Sequence, residues 1–321
     1  MTPMFSMERK VLFIDTAHPY LKEELNRLGF TCDFFPDYAY NDFSKIIAGY
    51  TGIIVRNKIR LDKELLGRAP ALRFIARIGA GMEGIDTAFA LQRGIACLNA
   101  PEGNRDALAE HTLGMILALI NHMVRADAQV RNGIWDREGN RGTELMGKTL
   151  GIIGYGNMGS AFARRLSGFQ MEVLAYDKYK KNYGDAFVKE ASLEELRMRC
   201  DLVSLHVPLT AETRYMVDDA FIRSFRKNFY LINTSRGQVV NTADLIRHLD
   251  SGKILGAALD VLEWEDTSFE DLNKNADNPL FMDLMHRENI ILSPHVAGYS
   301  AESPLKMAKV MVDKIKNEFG L

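Results

Sequence analysis

The sequence predicts an α/β protein built from two doubly wound, parallel-sheet domains. Three observations lead there. The chain has 321 residues, more than one ordinary core of about 100–150 residues accommodates. Short apolar runs alternate with amphipathic stretches in two successive series, the pattern of βαβ units. One run leads directly into Gly154-Tyr155-Gly156-Asn157-Met158-Gly159, a glycine-rich turn that opens a helix.

The first series begins with a strand at Lys10–Asp15, followed by an amphipathic helix, Leu21–Leu28, that stops at Gly29. Thr31–Phe35 is a second strand, Phe43–Ala48 a helix and Gly52–Arg56 a third strand. Leu61–Leu66 reads as a helix closed by Gly67 and Pro70. Leu72–Arg77 is a fourth strand running into Gly79-Ala80-Gly81, and Ile95–Leu98 ends the set. From Arg105 to Ala128 no proline intervenes and the apolar residues lie nearly all round, which predicts one long helix buried on more than one side. Arg131–Thr143 is polar and reads as a loop around Trp135.

The second series places strands at Leu150–Ile153, Glu172–Tyr176, Leu202–His206, Phe229–Asn233, Ile254–Leu259 and Asn289–Leu292. Helices fall at Gly159–Leu166, Leu193–Met198, Ala243–Leu249 and Ser303–Phe319. Asp266–Asn278 is acidic and reads as an extended surface loop.

Composition narrows the function classes. Forty Lys+Arg against 42 Asp+Glu give a net charge of −2, without the basic footprint of a nucleic-acid binder. No apolar run reaches the roughly 18–20 residues that cross a bilayer, and Met1–Lys10 lacks the apolar core of a signal peptide. Cys32, Cys97 and Cys200 are odd in number and far apart, so neither a disulfide framework nor a CxxC metal site is expected. A reduced, cytosolic protein is the reading that remains.

The glycine turn has the full context of a dinucleotide site: an apolar strand before it, a helix after it, and a second strand ending at Asp177, 18 residues beyond Gly159. Gly154 permits the tight turn, Gly156 the close approach of the pyrophosphate, and Gly159 the packing of helix on strand. The pyrophosphate then meets helix N-terminal amides. Asp177 would accept from the adenosine ribose and repel a 2′-phosphate, favouring NAD over NADP, although Lys178, Lys180 and Lys181 offset part of that repulsion. A methyltransferase using S-adenosylmethionine looks similar over this stretch and is the main rival.

His206 and His295 each stand at the carboxyl end of an apolar strand, where open α/β sheets bind ligands, and spacing alone does not choose between them. Arg236, in Asn233-Thr234-Ser235-Arg236-Gly237, also follows a strand. Asp260 and Glu265 follow the strand ending at Leu259; in an acidic loop they would ordinarily be surface charges. His111, His122 and His248 lie on helices, where packing is the default. No pair among these residues has metal-ligand spacing on one element, so no metal is expected.

Over essentially its whole length the chain resembles the D-isomer-specific 2-hydroxyacid dehydrogenases. The motifs that carry the resemblance are Leu150–Gly159, His206-Val207-Pro208-Leu209-Thr210, Asn233–Gly237, Gly256–Val261 and Ser293-Pro294-His295, with Asn99–Asn104 and Ala109–Thr112 at the entry to the long helix. The resemblance implies Arg236, Glu265 and His295 as the catalytic set and moves His206 into the nucleotide site. It further implies that the cofactor meets the whole Gly154–Gly159 loop, Asp177, His206, Val207, Pro208 and Thr213. Thr234, Ser235, Arg236, Asp260, His295 and Gly298 complete that list. Arg236 would hold the carboxylate of a 2-keto acid and polarise its carbonyl. His295 would protonate the carbonyl oxygen as hydride arrives, with Glu265 favouring the imidazolium. Backbone amides of Gly79, Ala80 and Gly81 would complete the carboxylate cradle.

Arg56 and Arg77 stand where the resemblance places arginines facing a substrate phosphate, so 3-phosphoglycerate/3-phosphohydroxypyruvate is the first expectation, in a short form without a regulatory domain. Hydroxypyruvate, glyoxylate or D-lactate chemistry is the alternative, because Glu83 follows the glycine turn and the Glu265–His295 loop is long. A non-catalytic NAD-sensing protein is the third. The expected organisation is a discontinuous substrate domain, 1–103 plus 295–321, and a Rossmann-like NAD domain, 104–294, with a cleft between them. A homodimer is expected around the long helix.

Overall fold

The computed structural model describes residues 9–265 and 277–321. They form two compact units, one of residues up to Asn104 with Tyr299–Leu321, the other Arg105–Gly298. The chain thus returns to the first unit after Gly298 rather than near Pro294, and His295 stays with the second.

The first unit carries β1 (Lys10–Phe13), α1 (Pro19–Arg27), β2 (Thr31–Phe34), α2 (Tyr40–Ile46), β3 (Gly52–Val55), α3 (Lys63–Gly67), β4 (Phe74–Arg77), α4 (Thr87–Gln92) and β5 (Ala96–Asn99). It is closed by the last helix of the chain, Ser303–Phe319. All five strands are parallel in the order β2-β1-β3-β4-β5, the flavodoxin-like arrangement. The period-two alternation of a strand sorts the core into two layers. Leu12 and Ile14 pack with Phe43, Ile53 and Leu65 on one face, while Val11 and Phe13 pack with Leu21, Met307, Met311 and Ile315 on the other. The predicted helix Leu61–Leu66 starts two residues later. Asp62 caps it by accepting from the Leu65 amide at 2.9 Å, which leaves Leu61 free to bridge to Ile85. The short helix α4, capped by Asp86, was not legible in the apolar pattern.

The second unit takes in α5 (Pro101–Ile120) from Arg105 onward and α6 (Met123–Arg131), then β6 (Thr149–Ile153), α7 (Asn157–Arg165), β7 (Glu172–Tyr176), β8 (Val188–Glu190), α8 (Leu193–Arg199) and β9 (Leu202–Leu205). There follow α9 (Asp219–Arg223), β10 (Phe229–Asn233), α10 (Thr242–Asp250), β11 (Ile254–Leu259), α11 (Pro279–Met285) and β12 (Ile290–Leu292). The closing helix of the first unit is therefore α12. The parallel order β12-β11-β10-β9-β6-β7-β8 reverses direction between β6 and β9, the switch point at which doubly wound sheets bind nucleotides. Both sheets match the two parallel α/β domains expected.

The long helix is a correction. It starts at Pro101 and breaks after Ile120, with the α6 axis turned by 60°. Neither glycine nor proline causes the break. His122 adopts a left-handed φ of 52°, and the Ile120 carbonyl accepts from the Thr143 amide at 2.9 Å instead of continuing the helix. Within the chain α5 buries one stripe, Leu108, Ala109, Thr112, Met115, Ile116, Leu119 and Ile120, rather than its whole circumference. No single helix among the described residues is long and apolar enough to cross a membrane. The acidic segment 266–276 lies outside the described residues, and Asn278, at its end, caps α11 through the Leu280 amide.

Met311 on α12 is fully buried whereas Leu91 on α4 is 79% exposed. Met311→Ala is expected to lower unfolding free energy by about 2–4 kcal/mol, and Leu91→Ala by less than about 0.5 kcal/mol, measured by urea denaturation.

Candidate active site

The ends of three adjacent strands carry the residues of interest. In register, Asn233 of β10 stands beside Leu259 of β11, which stands beside Leu292 of β12. Arg236 lies three residues past the first, Glu265 six past the second and His295 three past the third. Asn233 builds the first turn: its Oδ1 accepts from the Ser235 amide and hydroxyl at 3.1 and 2.7 Å, and its Nδ2 donates to the Arg236 carbonyl at 2.9 Å. The Arg236 guanidinium donates to the Ser235 carbonyl at 2.6 Å. A Cβ on Gly237 would lie 1.8 Å from the Leu262 carbonyl oxygen, so the Arg236 turn and the loop bearing Glu265 meet backbone to backbone.

His295 Nδ1 lies 2.6 Å from Glu265 Oε2, and the other oxygen of Glu265 accepts from the Leu262 amide at 2.6 Å. The carboxylate is thereby pinned at both ends. It fixes the imidazole orientation through Nδ1. The His295 side chain keeps 23% of its surface exposed.

Asp260, 1% exposed, does structural work that its position in sequence did not announce. Its Oδ1 accepts from the Ser293 hydroxyl at 2.6 Å and the Val296 amide at 2.9 Å, and its Oδ2 from the Ala297 amide at 2.9 Å. Its carbonyl accepts from the His295 amide at 2.8 Å, holding His295 at a left-handed φ of 53°. His111 of α5 completes the cluster, with Nε2 3.0 Å from Ser293 Oγ. A helical histidine read as ordinary packing thus supports the turn; the signal was its place beside the buried stripe.

The glycine turn sits at the switch point. Gly154 has φ 95°, and a Cβ there would lie 2.5 Å from the His206 carbonyl oxygen; one on Gly159 would lie 2.1 Å from the Gly154 carbonyl oxygen. Gly156 precedes α7 without a side-chain cap, leaving first-turn amides directed outward. Asp177 accepts from the Tyr155 amide at 2.8 Å and from the Tyr179 and Lys180 amides at 3.0 Å. Burial opposes its ionisation, yet these amide bonds outweigh burial and hold the carboxyl below its ordinary range. His206 shares a hydrogen bond with Ser204 Oγ at 2.9 Å while its Nδ1 is buried without a partner. Thr213 closes the following loop through the Pro208 carbonyl at 2.6 Å, with Val207 against Gly154. Thr234 is buried and 3.3 Å from the Thr112 hydroxyl. A side-chain-free cradle, an anionic Asp177 and an orphaned polar atom at one sheet edge fit a dinucleotide.

In the first unit, Arg56 lies over the Tyr299 ring at 6.0 Å and lines a cavity of about 230 Å³ with Thr16, His18 and Met307. Arg77 donates to Asn57 Oδ1 at 2.7 Å, and its guanidinium occupies the space beside Gly79. The turn is held by Asn99, which donates to the Ala80 carbonyl at 2.7 Å. Among the described residues no His/Cys/Asp/Glu group could hold a metal ion.

A family model described as D-isomer specific 2-hydroxyacid dehydrogenase, NAD binding domain, matches residues 113–297. A hydroxypyruvate reductase of Thermotoga maritima is 33% identical over 281 residues, covering 88% of this chain and 89% of the relative. A D-3-phosphoglycerate dehydrogenase of Archaeoglobus fulgidus is 31% identical over 310 residues, 96% of this chain but only 57% of the relative's length. Among solved structures, D-lactate dehydrogenase from Aquifex aeolicus complexed with NAD and lactic acid superposes with a TM-score of 0.81 at 30% identity, covering 97% of this chain and 95% of that one.

Burial lowers the pKa of His206 from its ordinary 6.5 to about 3. Between those values the unfolded chain binds the proton more readily, so stability falls as pH drops through that window. His206→Gln is expected to flatten this fall; urea unfolding at about pH 7 and about pH 5 measures it, and an unchanged slope refutes the assignment.

Proposed function

We propose that this chain, which belongs to the D-isomer-specific 2-hydroxyacid dehydrogenase family, interconverts 3-phosphoglycerate and 3-phosphohydroxypyruvate. Members of the family are NAD-dependent oxidoreductases of CH–OH groups acting on small 2-hydroxy or 2-keto acids, and this chain is one. The observation that carries the catalytic reading is the 2.6 Å contact of His295 Nδ1 with Glu265 beside the strand end that bears Arg236.

Arg236 binds the substrate carboxylate through its planar fork of donors and polarises the neighbouring carbonyl. With Nδ1 directed at Glu265, His295 delivers a proton from Nε2 to the carbonyl oxygen in reduction and takes it back in oxidation. Glu265 holds the ring in that tautomer. NAD, when bound, accepts or supplies the hydride. Gly154–Gly159 would hold its pyrophosphate on the α7 amides, Asp177 its ribose, and His206 Nδ1 is a polar group at the same edge. Amides of Ala80 and Gly81, in the turn held by Asn99, would hold carboxylate oxygens. Arg56, beside a cavity of about 230 Å³, would recognise a phosphate on C3; Arg77, tied to Asn57, would act by orienting that turn.

Hydroxypyruvate reduction is the second reading, favoured by the relative of nearly equal length. Assays with 3-phosphohydroxypyruvate, hydroxypyruvate, glyoxylate and pyruvate separate the two. The first is expected to give the highest kcat/KM, and Arg56→Met to lower that preference without impairing glyoxylate. A higher kcat/KM for hydroxypyruvate than for 3-phosphohydroxypyruvate, left unchanged by Arg56→Met, would support the second reading instead. In either case His295→Ala is expected to lower kcat by about 10²–10⁴-fold; near-normal turnover sinks the catalytic assignment.

A homodimer forms part of the proposal. Met123, Val124, Val130, Ile134 and Trp135 on α6 and the following loop are all more than half exposed, Trp135 at 78%, a cluster that a second copy would cover. Light scattering is expected to give twice the chain mass and Trp135→Glu to shift it toward one; a wild-type monomer removes the claim. The three unpaired cysteines suit a cytoplasmic setting.

A further inference from the structure

The sequence carries opposite signals for the cofactor: Asp177 against a 2′-phosphate, and Lys178, Lys180 and Lys181 for one. The structure shows what becomes of two of those charges. Lys178 Nζ lies 2.8 Å from Glu212 Oε2, and the Tyr179 hydroxyl donates to the same oxygen at 2.7 Å. Lys178 also sits over the Tyr179 ring at 5.6 Å. Lys180 donates to the Tyr155 carbonyl at 3.1 Å. Glu212 belongs to the loop after β9, and Lys178 and Tyr179 to the loop after β7. These two loops flank the glycine turn across the order β9-β6-β7.

We propose that Glu212 is a cofactor-selectivity residue: by clasping Lys178 and Tyr179 it withholds the Lys178 ammonium from a 2′-phosphate. The proposal rests on Asp177 as the carboxylate that meets the adenosine ribose. The physics is a competition of exposed charges. A phosphate carries up to two negative charges and would need the lysine as its counterion, whereas the 2′-hydroxyl of NAD needs none. While Glu212 holds the lysine, a 2′-phosphate gains nothing from Lys178 and still meets Asp177. The pair is also mutually reinforcing: the bond from Lys178 lowers the Glu212 pKa, and that bond raises the pKa of Lys178, so both stay charged.

Calorimetric titration with ADP and 2′,5′-ADP, and fluorescence titration with NADH and NADPH, test this without relying on turnover. Wild type is expected to prefer ADP and NADH. Glu212→Gln is expected to tighten 2′,5′-ADP and NADPH about three- to tenfold while leaving ADP and NADH within about twofold. Lys178→Met alone is expected to leave 2′,5′-ADP unchanged, because that ammonium is already engaged, but to abolish the gain in the Glu212→Gln background. The gain should shrink as salt is added. An unchanged ratio in Glu212→Gln, or a gain that survives removal of Lys178, overturns the proposal. Equal binding of ADP and 2′,5′-ADP by wild type overturns instead the ribose reading of Asp177 on which it stands.

Discussion

The second unit depends on one buried carboxylate. Removing Asp260 from water costs several kcal/mol unless its lone pairs are matched, and here a hydroxyl and two amides match them. All three donors come from Ser293–Ala297, so the need to satisfy the charge dictates the path of that turn. His295 lies inside it at φ 53°, a conformation that a side chain of this size holds only where its surroundings enforce it. The carboxylate fixes the backbone from which the imidazole projects, and Glu265 then fixes the ring.

The same principle governs the nucleotide edge. Asp177 is held by two amides of its own loop and by the Tyr155 amide of the glycine turn. A carboxylate has about four acceptor positions, so three amide bonds leave capacity for a ribose hydroxyl while guaranteeing that the group is ionised when it is met. Glycines complete the arrangement from the opposite direction. At Gly154, Gly159 and Gly237 a side chain would collide with backbone, so these turns close only because the residue has none. Charge fixes some loops and the absence of a side chain fixes others.

Both sheets were legible because most of their strands are apolar runs and the parallel connections are crossovers. The short helices α4, α9 and α11 and the three-residue strand β8 were not, since each presents too few residues to show a period. The break between α5 and α6 had no local signal at all. It is made by Thr143 claiming the Ile120 carbonyl, a contact 23 residues distant in sequence. The chemistry divides in the same way. Arg236 and the two histidines stood out as polar groups ending apolar strands, yet nothing in their spacing separated His206 from His295. Their surroundings differ: His206 has a buried Nδ1 without a partner, and His295 has a carboxylate on Nδ1.

What sequence hides most completely is the availability of a charge. Counting cations near a motif makes Lys178, Lys180, Arg56 and Arg77 equivalent candidates for phosphate. The structure makes them unequal. Lys178 faces a carboxylate from another loop, and Lys180 is bonded to a carbonyl of the glycine turn. Arg77 reaches Asn57 and fills the space left by Gly79, so drawing it onto a ligand would disturb that turn. Arg56 sits over an aromatic face at a cavity wall, and a guanidinium stacked in that way still offers the in-plane edge of its fork. An anion would therefore meet Arg56 without dismantling those contacts, so the proposed recognition of a phosphate falls to that residue.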